Sequence, residues 1–129
     1  MAYLGKTFTL DKHEKFDEFL AALGVPKDQI DALCSPKGST ITLSKDGDTF
    51  TQTVSYGAVS FKLGEEFDET IGKVQAKTVC VMDGDTLTQT QKFPDGRTMT
   101  FKKEFSDNKL VETATTSGWD GVAYKYYSA

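Results

Sequence analysis

Residues 77–121 read KTVCVMDGDTLTQTQKFPDGRTMTFKKEFSDNKLVETATTSGWDG, and this stretch decides the fold. Turn-forming pairs recur in it at intervals of 12, 12 and 13 residues: Asp83–Gly84, Asp95–Gly96, Asp107–Asn108 and Asp120–Gly121. The segments between the pairs are rich in residue types that favour β-strands, above all Thr, Val and Phe. Regular turns at this spacing predict antiparallel strands joined as a meander.

The same rhythm continues upstream with shorter segments, at Asp46–Gly47, Tyr56–Gly57, Leu63–Gly64 and Ile71–Gly72. The whole pattern predicts about ten strands. A sheet of that many strands usually curls or closes on itself instead of leaving two exposed edges. We therefore expect an all-β protein whose strands form a closed, up-and-down antiparallel barrel.

Strand alternation is missing between residues 12 and 35. Apolar side chains recur there at helical spacing over residues 16–23, and Gly24 follows as a C-terminal cap. Pro26 begins a second predicted helix, which ends before Pro36 and Gly38. The pattern predicts a helix-turn-helix lid over one end of the barrel.

The composition predicts one domain over residues 1–129, with 15 basic against 19 acidic side chains and a net charge of −4. This balance disfavours nucleic acid as a partner, because phosphate backbones attract basic surfaces. No secretory signal and no apolar run long enough to span a membrane is visible. Two cysteines without such a signal suggest free thiols and a cytoplasmic location.

The strand faces predict a barrel that holds a guest. In Thr86–Gln91, alternation sets three Thr side chains on one face and one Leu and two Gln on the other, so neither face is purely apolar. Such mixed faces suit a barrel with a wet exterior and an interior that contains water, polar side chains and one small ligand.

Groups for catalysis or metal binding are scarce. His13 is the sole histidine, lies among charged residues and is predicted to be on the surface. The acidic run over residues 65–69 is likewise interpreted as solvated surface. Cys34 and Cys80 are interpreted as packing residues, since neither has metal-ligand spacing to a partner. We expect no catalytic residue, no bound metal and no cofactor.

Two lysines share strand faces with apolar residues. Lys103 alternates with Met99, Phe101 and Phe105, whereas Lys125 shares one face of residues 122–128 with an Ala and a Tyr. The alternation of side chains alone does not decide which face of that last strand points inward. A buried ammonium loses its proton or finds an anion, which suggests a ligand with a carboxylate head and an apolar tail. The alternative is a lysine whose ammonium extends to the barrel rim.

Along nearly the whole chain, the sequence resembles the intracellular lipid-binding protein family, specifically its fatty acid-binding proteins. Residues 59–70 (VSFKLGEEFDET) look like the family's mid-chain signature, and residues 16–25 (FDEFLAALGV) look like its first lid helix. The beginning at 2–6 (AYLGK) and the end at 119–127 (WDGVAYKYY) are especially similar to gut-type members from insects. The resemblance implies a ten-stranded barrel with a two-helix lid and a cavity for a long-chain fatty acid.

The resemblance also implies the groups that bind the ligand carboxylate. The family usually uses an Arg and, two residues later, a Tyr on the last strand, and these positions fall on Lys125 and Tyr127. This places that face of the last strand inside. A second internal Arg falls on Lys103. Both arginines are therefore lysines here, and we expect a looser head-group geometry, because Lys lacks the planar fork of Arg.

Glu112 is a further departure. It shares a face with Leu110 and Ala114 on the strand that should lie beside Lys103. We expect Lys103 and Glu112 to pair inside the barrel or at its rim, with Lys125 and Tyr127 as the working anion site.

The tail and portal contacts implied by the resemblance are Phe16, Phe19, Leu23, Leu33 and Tyr56. Ordinary packing under the lid is the simpler interpretation of the helical ones, and the two roles are compatible.

The function expected from this resemblance is a non-catalytic, monomeric intracellular carrier of long-chain fatty acids for lipid uptake and transport, with at most transient membrane contact. Three alternatives stay open: a carrier of a retinoid, sterol or other hydrophobic ligand, a small barrel enzyme such as an isomerase of lipophilic substrates, and a dry interaction barrel.

Overall fold

The computed structural model describes residues 3–24, 38–54, 57–71 and 74–129, which contain ten strands and one helix. The helix α1 covers Phe16–Ala22. The strands are β1 (Thr7–Glu14), β2 (Thr40–Asp46), β3 (Thr49–Val54), β4 (Gly57–Lys62), β5 (Phe67–Ile71), β6 (Val74–Asp83), β7 (Thr86–Lys92), β8 (Thr98–Phe105), β9 (Lys109–Thr116) and β10 (Ala123–Ser128).

The predicted meander is confirmed. The strands form one antiparallel sheet in the order β4-β3-β2-β1-β10-β9-β8-β7-β6-β5, so the first and last strands of the chain pair with each other. In the described residues, β4 and β5 are the two edges. The Phe61 and Phe67 rings stack across this seam with centroids 6.1 Å apart, and the Gly64 N–H donates to the Cys80 carbonyl at 2.9 Å. The result is a nearly closed barrel.

The first predicted helix is confirmed as α1. Its apolar positions Phe16, Phe19 and Leu20 are buried, as helical spacing requires of one face. Gly24 follows the helix with a φ of +86°, a conformation that glycine adopts without a steric penalty. The second predicted helix lies outside the described residues.

The connection between β9 and β10 differs from the predicted turn. Positive φ occurs at Gly118 (+83°) and not at Gly121. A glycine is needed at Gly121 for a different reason, since a Cβ there would overlap the indole ring of Trp119 at 2.7 Å from Cε2. The close approach of the Trp119 ring, and not the backbone conformation, explains why position 121 is a glycine.

Two apolar clusters fill opposite ends of the barrel. The cluster that we call the helix-end cluster lies under α1 and comprises Phe16, Phe19, Leu20, Met99, Ala114 and Ala123, with Leu23, Phe93, Phe101 and Trp119 packed against it. The cluster that we call the base cluster contains Tyr3, Phe8, Leu10, Ile41, Leu43, Phe50, Phe61, Cys80, Leu87, Phe105, Leu110 and Tyr127. The functional groups lie between the two clusters.

Candidate ligand-binding site

A layer of polar side chains separates the two apolar clusters inside the barrel. On β8, Lys103 lies between Phe101 at the helix end and Phe105 at the base. On β9, Glu112 has the same position between Ala114 and Leu110. Because inner-face residues alternate along each strand, the layer is a direct consequence of one polar residue placed at the same height on neighbouring strands.

Lys103 is the most buried charged residue of this layer, with 3% of its surface exposed. Its Nζ donates to Gln52 Oε1 at 2.7 Å and to Gln89 Oε1 at 3.4 Å, and lies 3.5 Å from Glu112 Oε1. An ammonium has three N–H donors, and three oxygen atoms surround this one. The ion pair expected between Lys103 and Glu112 is therefore present, inside the barrel.

Glu112 lies in register with a lysine on each side. Its Cα pairs with that of Lys103 on β8 and with that of Lys125 on β10. Directly opposed side chains on one face of neighbouring strands are close enough to interact. The three residues thus form a row across β8, β9 and β10 in which two ammonium groups flank one carboxylate.

Lys125 lies on the inner face of β10, together with Ala123 and Tyr127, which are 0% and 7% exposed. Its Nζ is 4.2 Å from the centroid of the Phe16 ring on α1, a cation–π contact. Two residues predicted from the sequence, one for the ligand head and one for the tail, are therefore in contact. The ammonium points towards the helix end, whereas Tyr127 belongs to the base cluster.

The side chains expected around the ligand tail pack under and beside α1. The Phe19 ring contacts Phe16, Phe101 and Trp119, with centroid distances of 5.3, 6.1 and 5.8 Å. Leu23 is half-buried against the same cluster. These contacts are those of lid packing, and contact with a ligand stays a prediction. Leu33 and Tyr56 lie outside the described residues.

Glu69 corrects the interpretation of residues 65–69 as solvated surface. Its neighbours Glu66 and Asp68 are exposed, but Glu69 is half-buried, and its Oε1 accepts three hydrogen bonds from inner-face side chains. The donors are Thr78 Oγ1 at 3.0 Å, Gln89 Nε2 at 3.2 Å and Gln91 Nε2 at 2.9 Å. We call these four residues the Glu69 cluster. Alternation from Phe67, two residues earlier on the same face of β5, is the sequence signal that points to it.

Gln89 joins the Glu69 cluster to the lysine. Its Nε2 donates to Glu69 and its Oε1 accepts from Lys103, so one amide bridges the two charges. The polar layer is thus continuous from β5 to β9 in the described part of the chain. Several of its members keep partial exposure despite facing inward, among them Gln52, Glu69 and Lys125, and they border space inside the barrel or its opening.

Cys80 and His13 behave as the sequence predicts. Cys80 is buried, and this burial raises the pKa of its thiol to about 11, against the opposing effect of the nearby Lys103 charge. His13 is exposed and contacts the edge of the Phe16 ring. Cys34 lies outside the described residues. Within the residues that the structure describes, no group of three His, Cys, Asp or Glu side chains is arranged to hold a metal ion.

The barrel is almost closed, has apolar ends and a charged inner layer, and carries a helix across one opening. These features are typical of the class of small barrels that enclose one lipophilic ligand. The model of the lipocalin / cytosolic fatty-acid binding protein family matches residues 1–128, and the chain belongs to this family.

Similar proteins are found over the full length of the chain. Fatty acid-binding protein 2 of Manduca sexta is 44% identical, with 100% of both chains covered. A crystal structure of a fatty-acid-binding protein from Manduca sexta superposes with a TM-score of 0.86 at 44% identity, covering 98% of this chain and 99% of that one. The bilirubin-inducible fluorescent protein UnaG of Anguilla japonica is 35% identical, with 97% of this chain and 94% of that one covered.

No helix among residues 3–24, 38–54, 57–71 and 74–129 has the length and apolar character needed to cross a membrane.

Proposed function

We propose that this chain is a non-catalytic cytoplasmic carrier that binds one long-chain fatty acid inside its barrel, for lipid uptake and transport. The observation that carries the proposal is the row formed by Lys103, Glu112 and Lys125 across β8, β9 and β10. With two ammonium groups and one carboxylate, the row has a formal charge of +1. Glu69, joined to Lys103 through Gln89, brings the whole polar layer to a formal charge of zero, so the attraction for an anion is local to the ammonium groups, and the apolar clusters on either side suit an apolar tail.

The head group binds at the Lys125 end of the row. Lys103 is held by Glu112, Gln52 and Gln89, so its positive charge is already matched by nearby oxygens. Lys125 lies beside the aromatic ring of Phe16, near the helix-end cluster, so the apolar tail of a ligand bound there can reach that cluster. A carboxylate that reaches Lys125 forms a charge-assisted hydrogen bond, and the Tyr127 hydroxyl is the second donor that we assign to it.

The tail supplies most of the affinity, because each methylene taken out of water contributes about 0.8 kcal/mol. We assign the tail to the helix-end cluster, whose half-buried members Leu23, Phe101 and Trp119 border α1. The ligand therefore enters past α1, and the Lys125–Phe16 contact lies on its route.

The cytoplasmic location is supported by the description of the family and by two cysteines, of which Cys80 is a free buried thiol. We assign a monomer and delivery by diffusion with at most transient membrane contact. The outer face of α1 carries Asp17 and Glu18 in its first turn and no basic residue in its last, unlike a helix that docks on anionic lipid. A transfer rate that rises with the concentration of anionic vesicles contradicts delivery by diffusion.

A second candidate is a carrier of a retinoid, sterol or other ring-containing hydrophobic ligand in the same cavity. The aromatic side chains Phe93, Phe101 and Trp119 at the helix end offer flat apolar surfaces to such rings. The 35% identity to a protein named for bilirubin adds support.

Native mass spectrometry tests the proposal. The protein is measured as purified and after addition of oleate, and any co-purified small molecule is extracted and identified. We expect one fatty acid per chain. A protein that is empty and takes up no oleate contradicts the proposal, and uptake of retinol or cholesterol in place of oleate supports the second candidate.

A further inference from the structure

The Glu69 cluster is a polar site in the barrel wall, separate from the Lys125 side chain to which we assign the head group. One carboxylate oxygen, Oε1, accepts all three of its hydrogen bonds from the described residues, and those donors come from β6 and β7. A carboxylate has two oxygens with about four lone-pair sites in total. Glu69 therefore retains capacity to accept a further donor at Oε2.

A pocket of about 250 Å³ lies beside this carboxylate. It opens at the seam between the two edge strands and is lined by Gln52, Val54, Gly57, Ala58, Val59 and Glu69. Its two polar side chains are Gln52 and Glu69, and the rest of the lining is apolar. A chain segment that passes through this pocket meets the Gln52 amide on β3 and the Glu69 carboxylate on β5.

Gln91 helps to hold the Glu69 carboxylate in position. It is 4% exposed, its Nε2 donates to Glu69, and its Oε1 has no hydrogen-bond partner in the described part of the chain. Leaving a buried acceptor unpaired costs free energy, and this residue is retained as a donor to Glu69. The Gln91 N–H thus fixes the position of Glu69 Oε1, which leaves Oε2 for a further donor.

The surrounding charges select a neutral donor. Glu69 repels a second anionic group, and the Lys103 ammonium disfavours a cation, because it lies 2.7 Å from Gln52 Oε1 at the same pocket. With that oxygen bound to Lys103, Gln52 can offer its Nε2 as a donor. A hydroxyl both donates and accepts, which matches a carboxylate on one side and an amide N–H on the other.

We infer that the Glu69 cluster and Gln52 form a subsite for a hydroxyl group on the chain of the fatty acid, so that the preferred ligands are hydroxylated long-chain fatty acids. This inference rests on the proposed function, since it assumes that the acyl chain lies inside the barrel. Lys125 then binds the carboxylate and Glu69 binds the hydroxyl of the same ligand inside one cavity.

Calorimetric titration of the full-length protein with stearic acid and with a positional series of monohydroxystearic acids tests the subsite. In an apolar cavity a buried hydroxyl without a partner weakens binding by about tenfold. We expect one hydroxyl position to escape this loss and to bind at least as tightly as stearic acid, while distant positions show the loss. An equal loss at every position overturns the subsite.

Glu69→Gln tests which residue recognises the hydroxyl, with Glu66→Gln as the matched control, since Glu66 is exposed. We expect Glu69→Gln to lower the preference for the best hydroxystearate over stearate by about fivefold or more, because a neutral acceptor forms a weaker hydrogen bond than a carboxylate. Glu66→Gln should leave the preference unchanged. A preference that survives in Glu69→Gln overturns the assignment.

Gln91→Met provides a second variant that keeps Glu69 in place, and it should reduce the same preference. A retained far-ultraviolet circular dichroism spectrum shows in each variant that the barrel is intact, and the ratio of the two affinities is the readout, because a change of charge inside the barrel affects both acids alike. The two proposals fail differently: a wild-type protein that binds neither acid contradicts the carrier function, whereas one that binds stearate without any preferred hydroxyl position contradicts only the subsite.

Discussion

Lys103 Nζ lies 3.5 Å from Glu112 Oε1 inside the barrel, and the two side chains are 4% and 9% exposed. Such a pair costs free energy to desolvate and does not by itself stabilise a fold. Its consequence is electrostatic, because Glu112 places a negative charge beside Lys125, where we assign the ligand carboxylate.

Replacement of Glu112 by Gln is therefore expected to strengthen oleate binding. Gln keeps the shape and an oxygen acceptor for Lys103 but removes the charge that repels the ligand carboxylate. We expect an increase of about tenfold, equivalent to about 1.4 kcal/mol, in calorimetric titration. Glu104→Gln, on the exposed face of β8, is the control with the same change of charge. Equal oleate affinities in Glu112→Gln and the wild type refute the idea that this carboxylate opposes binding.

Replacement of Lys103 by Met should destabilise the protein, since it removes the ammonium that lies 3.5 Å from the buried Glu112 carboxylate. We expect a loss of about 3–5 kcal/mol in the free energy of unfolding, measured with guanidinium chloride. The double variant Lys103→Met/Glu112→Met should recover most of this loss, because both charges are then absent. Lys102→Met, exposed on the same strand, should have little effect. A double variant no more stable than Lys103→Met argues against the pair.

Replacement of Gly121 by Ala should displace the indole ring of Trp119, because the added methyl group overlaps it. Trp119 packs on Phe19 at 5.8 Å, so we expect a destabilisation of about 1–3 kcal/mol and a shift of tryptophan emission. The sequence contains one Trp, so the emission reports on this residue alone. Gly57→Ala, which meets no atom within 4 Å, is the control. Emission unchanged in Gly121→Ala contradicts the packing described.

The buried Cys80 thiol should make stability depend on pH at the alkaline end. Its folded pKa of about 11 exceeds the ordinary value of about 8.5, so the unfolded chain loses this proton first. The contribution of the thiol is full below about pH 8.5 and is lost as the pH rises towards 11. The free energy of unfolding is measured for Cys34→Ser and for Cys34→Ser/Cys80→Ala. We expect the first value minus the second to fall by about 2–3 kcal/mol across this pH range. A difference that stays constant with pH contradicts the raised pKa.

Much of the barrel was predictable from local sequence. Asp83–Gly84 and Asp95–Gly96 carry positive φ at their glycines, and the strands between them follow from β-favouring residues. The alternation of side chains along the strands also predicted that Lys103 pairs with Glu112. The inner face of β10 was not decidable from its residues, because tyrosines occur on both faces, and only the resemblance selected Lys125 and Tyr127.

Glu69 shows why the remaining features could not be predicted with the same ease. Its surroundings at 65–69 are a run of charges, which is typical of exposed surface. A half-buried carboxylate needs donors, and those of Glu69 are 9, 20 and 22 residues away along the chain. Gly121 is similar, since its requirement arises from the placement of a neighbouring ring and not from a turn. Both features depend on the assembled barrel.

The most direct test of the central claim compares oleate with methyl oleate in the wild type and in Lys125→Met. If Lys125 binds the carboxylate, Lys125→Met should weaken oleate binding by about 10–100-fold, as expected for a lost hydrogen bond to a charged group. The binding of methyl oleate, which has no carboxylate, should be unchanged. The control variant Lys102→Met should bind both ligands as the wild type does. Equal oleate affinities in Lys125→Met and the wild type, or an equal loss for both ligands, contradict the claim.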